Sequence, residues 1–140
     1  MKPRHRARQV VNWLTLSTPL GLLIAGAGRA RLYRVGGGMY LADKCALMLP
    51  DAGAFTVGNV VIANDFATLR RSYPQVLDHE AAHASQWALL GPLFLPVYLT
   101  WTAWSLWRTG DRWSRNYLER WAGLARGGYV ESPIRRPPVS

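Results

Sequence analysis

The chain has 140 residues, 17 lysines and arginines against 8 acidic residues, a net charge of +9 and one cysteine. That length forms one domain able to bury a core without covalent staples. At 49% hydrophobic and 18% charged residues, the body of the chain is not disordered. A lone Cys45 excludes an internal disulfide or a cysteine zinc cluster, and no recurring period points to a repeat or coiled-coil architecture.

In chain order, residues 1–9 read as a basic N-terminal tail carrying Lys2, Arg4, Arg6 and Arg8. An uncharged run from Val10 to Gly28 predicts one helix. A basic start, an apolar run and Ala25-Gly26-Ala27 also have the outline of a signal peptide. Pro19 and the run's length argue against that, and the arginines that follow suit a protein in the cytoplasm or on the inner face of the membrane. Arg31 to Val35 alternates, stops at three glycines and resumes at Met39-Tyr40-Leu41, which predicts a hairpin. Pro50-Asp51-Ala52-Gly53 is a turn signal. Phe55 to Ile62 then reads as a third strand.

Helical signals dominate the rest. Ser72 and Pro74 suggest a start, and Val76, His79, Glu80, His83 and Trp87 fall on adjacent helical positions before Gly91-Pro92 ends the helix. A second helix runs from Pro96 to about Trp107, and a third from about Arg112 to Arg126, closed by Gly127-Gly128. The expectation is an α+β domain over residues 10–130: an N-terminal helix, a three-stranded antiparallel meander, then three helices. Residues 131–140 read as a Pro-rich C-terminal tail. Cys45 reads as a small buried apolar residue.

Histidine and glutamate are scarce, three of each, yet His79, Glu80 and His83 stand together as His-Glu-Ala-Ala-His. On a helix, residues four apart share a face one turn apart, so both imidazoles can reach one metal ion. Glu80, one step around the helix, reaches a water on that ion and serves as general base while the zinc lowers the water's pKa. A catalytic zinc needs a third protein ligand. Glu119, on the last predicted helix, is the leading candidate, ahead of Asp111 and Glu131. A surface salt bridge to Arg115 or Arg112 is its alternative use. Tyr98, Tyr117 and Tyr129 are the candidate oxyanion donors.

HExxH followed on a later helix by Asn116-Tyr117-Leu118-Glu119-Arg120-Trp121-Ala122, an NxxExxA-type stretch, resembles the gluzincin (thermolysin-like) branch of zinc metallopeptidases. The resemblance spans roughly residues 55–128. It implies a minimal zincin-like fold, His79, His83 and Glu119 as zinc ligands, Glu80 as general base, a peptide or protein substrate, and Phe55–Ile62 as an edge strand that holds extended substrate. Gln86 and Gly91-Pro92-Leu93 also resemble small bacterial proteins in which HExxH is followed by a glutamine and a Gly-Pro-Leu segment.

Charge and aromatics suggest a second property. The arginines attract polyanions, and six of seven tryptophans lie between Trp87 and Trp121, a residue type that favours membrane interfaces. An anionic membrane surface is therefore an expected partner. Specific nucleic-acid binding is not expected, because no helix-turn-helix, zinc-finger or RNA-binding signature accompanies the charge. The leading functional expectation is a zinc-dependent metallopeptidase. The alternative is a non-catalytic, metal-stabilised interaction module docking on a membrane or larger assembly.

Overall fold

A computed structural model describes residues 1–49 and 52–136. Pro50 and Asp51 of the expected turn and the last four residues of the expected tail lie outside the described residues. The elements in order are α1 (Pro3–Leu14), α2 (Ser17–Ala27), β1 (Arg31–Val35), β2 (Met39–Asp43), β3 (Ala54–Val57), β4 (Val60–Ala63), α3 (Phe66–Ser72), α4 (Val76–Leu90), α5 (Phe94–Thr109) and α6 (Tyr117–Ala122). The fold is α+β, with a four-stranded mixed sheet in the order β1-β2-β4-β3.

The expected three-stranded antiparallel meander is corrected in two ways. Phe55 to Ile62 is not one strand but most of a hairpin, β3 and β4, turning at Gly58-Asn59. Gly58 has φ +62, and a Cβ there would lie 2.4 Å from the Thr18 nitrogen, so the start of α2 packs directly on this turn. β4 then pairs parallel to β2, with Tyr40 opposite Val60, while β1–β2 and β3–β4 are antiparallel. Parallel pairing places β4 inside the sheet, which is why Val60, Val61, Ile62 and Ala63 are all fully buried and the alternating pattern is lost.

The single N-terminal helix expected over residues 10–28 is two helices bent by 73°, with Leu16 at the corner in the left-handed region at φ 64. Much of the expected basic tail is helical, since α1 begins at Pro3, a residue suited to a first turn. Arg8 donates to the Gly37 carbonyl at 2.7 Å and to the Ala81 carbonyl at 3.3 Å, tying α1 to both the sheet and α4. Asn12 is fully buried. Its Nδ2 donates to Asn59 Oδ1 at 2.7 Å and to the Ala84 carbonyl at 3.0 Å, and Asn59 Nδ2 donates to the Gln9 carbonyl. This buried amide pair fixes α1 against the β3–β4 turn and α4.

The helix expected over 112–126 is reduced to the six residues of α6. Asp111 accepts from the backbone of Trp113 and Ser114 and from the Ser114 hydroxyl, holding residues 111–114 in a local turn instead. Gly123, at φ 92, ends α6. Cys45 is fully buried, its Sγ 2.2 Å from where a Cβ on Gly28 would stand.

Candidate metal centre

α4 buries two adjacent stripes. Val76, Glu80, Ala84 and Trp87 recur at helical spacing, and Trp87 Nε1 donates to the Thr56 carbonyl on β3 at 2.8 Å. His79, His83 and Gln86 form the second stripe, which faces α6: Gln86 Nε2 donates to the Leu118 carbonyl at 2.8 Å. α6 is set by Asn116, whose side chain accepts from the Leu118 and Glu119 nitrogens while its Nδ2 donates to Thr102 Oγ1 at 3.2 Å on α5. The positions of the NxxExxA stretch thus have separate uses: Asn116 caps the helix, Glu119 points at α4, and Ala122 packs at 1% exposure.

His79, His83 and Glu119 come together as a buried cluster whose candidate ligand atoms all lie within 4.8 Å of one another. His79 Nε2 and His83 Nε2 are 3.2 Å apart, and Glu119 Oε2 is 3.0 Å from the first and 3.2 Å from the second. Four-coordinate zinc with bonds near 2.0–2.1 Å places its ligand atoms about 3.3 Å apart, so this triangle has the size of one face of such a site.

The surroundings fix the imidazole tautomers. His79 Nδ1 is 2.8 Å from the Gly123 carbonyl, which can only accept, so Nδ1 carries the proton. The Gln86 amide nitrogen is committed to the Leu118 carbonyl, which turns its oxygen to His83 Nδ1 at 2.8 Å and gives that nitrogen the proton too. Both Nε2 atoms then present lone pairs to each other and to a carboxylate. Such an arrangement requires a cation, either a metal ion or a proton. Burial works against a charged His83, but the Glu119 carboxylate and then Glu80 outweigh it and raise His83 to about 9. Burial likewise opposes ionisation of Glu119, yet His83 and His79 hold it well below the usual carboxylate range.

Glu80 is 3% exposed, and its Oε2 accepts the Thr56 hydroxyl at 2.7 Å. It lines a cavity of about 320 Å³ with His83, Glu119, Trp87, Phe94, Tyr98 and Tyr129. The walls are mostly apolar, including Leu20 and Ile24 of α2 and Leu95 and Leu99 of α5.

The other candidates separate cleanly. Asp111 is spent on its own turn. Glu131 pairs with Arg120 and with Arg115 Nη2 at 3.7 Å, taking the surface role that was the alternative for Glu119. Tyr117 is half-exposed against Trp101, away from the cluster. Tyr98 donates to Glu119 Oε1 at 2.5 Å, leaving Oε2 for the histidines. Burial and then the Glu119 charge push its phenol far above the ordinary range. Tyr129 lies in the cavity wall with its ring 5.8 Å from that of His79. Its phenol too is pushed up, by burial and then by Glu119 and Glu80.

Sequence reasoning missed Thr56, Gly123 and Gly127, and it used Gln86 only as a mark of resemblance. A Cβ on Gly127 would lie 2.7 Å from His79 Cε1, so the 123–129 segment closes directly over the ring. Such contacts come from segments folded back from elsewhere and leave no local pattern. No protein-family model, no curated protein and no solved structure matches this chain.

Proposed function

We propose that this chain is a zinc-dependent peptide hydrolase of minimal, zincin-like build. The observation that carries the reading is the convergence of two tautomer-fixed Nε2 lone pairs and the Glu119 carboxylate, with Glu80 beside them on the cavity wall. His79, His83 and Glu119 hold the ion; bound there, zinc supplies Lewis acidity towards a water or a carbonyl oxygen.

The chain's own residues do the rest. Glu80, anchored by Thr56, takes a proton from the attacking water and returns it to the leaving amine. Tyr98 fixes the carboxylate of Glu119, and Gln86 and the Gly123 carbonyl fix the two imidazoles. Tyr129, in the cavity wall, keeps its proton at neutral pH and is the candidate donor to a developing oxyanion. An extended substrate lies along the outer strand β3. Trp87 already takes the Thr56 carbonyl, so pairing falls at the Ala54 end, which borders the cavity.

The test is a peptide-library digest with the zinc-loaded protein beside Glu80→Gln. New cleavage products that vanish in the variant support the reading, and equal cleavage by both removes Glu80 from the mechanism. A second reading, a metal-stabilised interaction module, draws on the way the ligands cross-link α4 to α6. It predicts that the metal governs folding while the zinc-loaded protein cleaves nothing.

A further inference from the structure

Beside the cavity, apolar side chains of α2 and α5 stand in solvent, with Arg112 near Leu99 and Tyr129 at one edge. The α1–α2 corner exposes Leu14 and Leu16, α2 exposes Leu23, and α5 exposes Leu99 and Trp107, each by 60% or more. Two observations join the corner, α2 and α5. The corner touches the start of α5, since a Cβ on Gly91 would be 3.7 Å from Thr15 Cγ2. Further along, Leu20 and Ile24 of α2 line the cavity together with Leu95 and Leu99 of α5. An apolar surface of this extent marks an interaction site.

The charge pattern identifies the occupant. No charged residue occurs from Val10 to Gly28 or from Ala84 to Trp107. Arginines begin at the far end of each helix: Arg29 and Arg31 after α2, and Arg108 in the last turn of α5. The Arg108 guanidinium sits 5.8 Å from the ring centre of Trp104 and 5.5 Å from that of Trp107. Leucines bounded by tryptophan and arginine match acyl chains lying beneath anionic headgroups. A second copy of the chain would instead bring two bodies of charge +9 together.

The helical run Val76–Thr109 is long and apolar enough to cross a membrane, and only 17% of its most apolar window is buried. Its first half, however, is α4, which packs on the sheet through Trp87 and holds the buried cluster against α6. α5 alone, 16 residues, is about 24 Å long, short of the roughly 30 Å hydrocarbon core. The geometry therefore favours insertion into one leaflet over a span.

We propose that this face docks into an anionic lipid bilayer, so that the mouth of the cavity beside His83 and Glu119 opens towards the lipid. The docking stands on the surface alone and does not depend on the hydrolase reading. The experiment is flotation of Glu80→Gln, which separates binding from turnover, with phosphatidylcholine vesicles containing about a quarter phosphatidylglycerol and with phosphatidylcholine alone. Expected are flotation with the anionic vesicles, weaker flotation with the neutral ones, and in about 0.5 M salt a fall towards the neutral-vesicle level without complete loss, because screening leaves only the inserted surface. The same chain carrying Leu16→Glu, Leu23→Glu and Leu99→Glu should partition at least about tenfold less.

A second measurement does not rely on that variant folding. Bimane attached at Leu99→Cys should shift to the blue on adding anionic vesicles, while bimane at Leu32→Cys on β1 should not; Cys45 is fully buried. Failure to float, complete loss of binding in salt, or a blue shift at residue 32 instead of 99 would overturn the proposal. So would a lipid-free dimer that the three glutamates dissociate, since the face would then be an interface between copies.

Discussion

Gln86 joins His83 to the helix that carries Glu119: one end of its amide is 2.8 Å from His83 Nδ1 and the other 2.8 Å from the Leu118 carbonyl. A single fully buried side chain therefore sets both the tautomer of one candidate ligand and the position of the element supplying another. Replacing Gln86 with alanine should weaken metal binding about 10- to 100-fold. Chelator competition would measure this, and an affinity equal to wild type would show that the amide is not orienting His83.

Protons and metal compete for the cluster. In the metal-free protein His83, raised to about 9, holds a proton at neutral pH, and a metal must displace it. Zinc titration at pH 7 in two buffers of different ionisation enthalpy should show about one proton released per ion, with affinity rising towards pH 9.

The same shift fixes the sign of the stability effect. A histidine whose folded pKa lies above its unfolded value contributes stability that is fully present below about 6.5 and lost as pH rises through about 9. The Tm of the metal-free protein should fall between pH 7 and 9.5. The zinc-loaded protein should not follow it, because the ion replaces the proton.

Thr56 acts on Glu80, not on the metal. Thr56→Val removes the hydroxyl that holds the carboxylate at 2.7 Å with little change in volume. Zinc content should be unchanged and turnover reduced about tenfold or more. A loss of zinc in parallel would mean that the hydroxyl supports the fold and not the base.

Asn116 carries the placement of Glu119. Asn116→Ala deletes a helix cap and the donor to α5, and should cost about 1–2 kcal/mol of stability, read from urea unfolding, together with weaker zinc binding. Asn116→Asp keeps the cap acceptor and should recover part of the stability.

Much of the site was legible because it is local. His79, Glu80 and His83 lie within five residues of one helix, and their spacing alone puts both imidazoles on one face. Glu119 stood out because carboxylates are so rare in this chain, and the structure places it against both histidines. The strand pattern was less informative: Val60 to Ala63 is buried on both sides, so it does not alternate, and the Gly58-Asn59 turn was read through as strand. The bend at Leu16 was signalled by Pro19, which sits in the first turn of α2 and cannot continue a straight helix from Thr15, but the run as a whole reads as one apolar helix. Asn12, inside the uncharged run, is the buried link between α1, the β3–β4 turn and α4. Thr56, Gly123 and Gly127 reach the site only through tertiary folding, and no spacing along the chain reveals them.

The most direct test of the central claim is metal content by elemental mass spectrometry after zinc loading and gel filtration, comparing wild type with His83→Ala and Glu80→Gln. The account predicts about one zinc per chain in wild type and in Glu80→Gln, and none retained in His83→Ala. A folded wild type that retains no zinc, or a His83→Ala protein that retains it fully, would contradict the assignment of His79, His83 and Glu119 as a metal site.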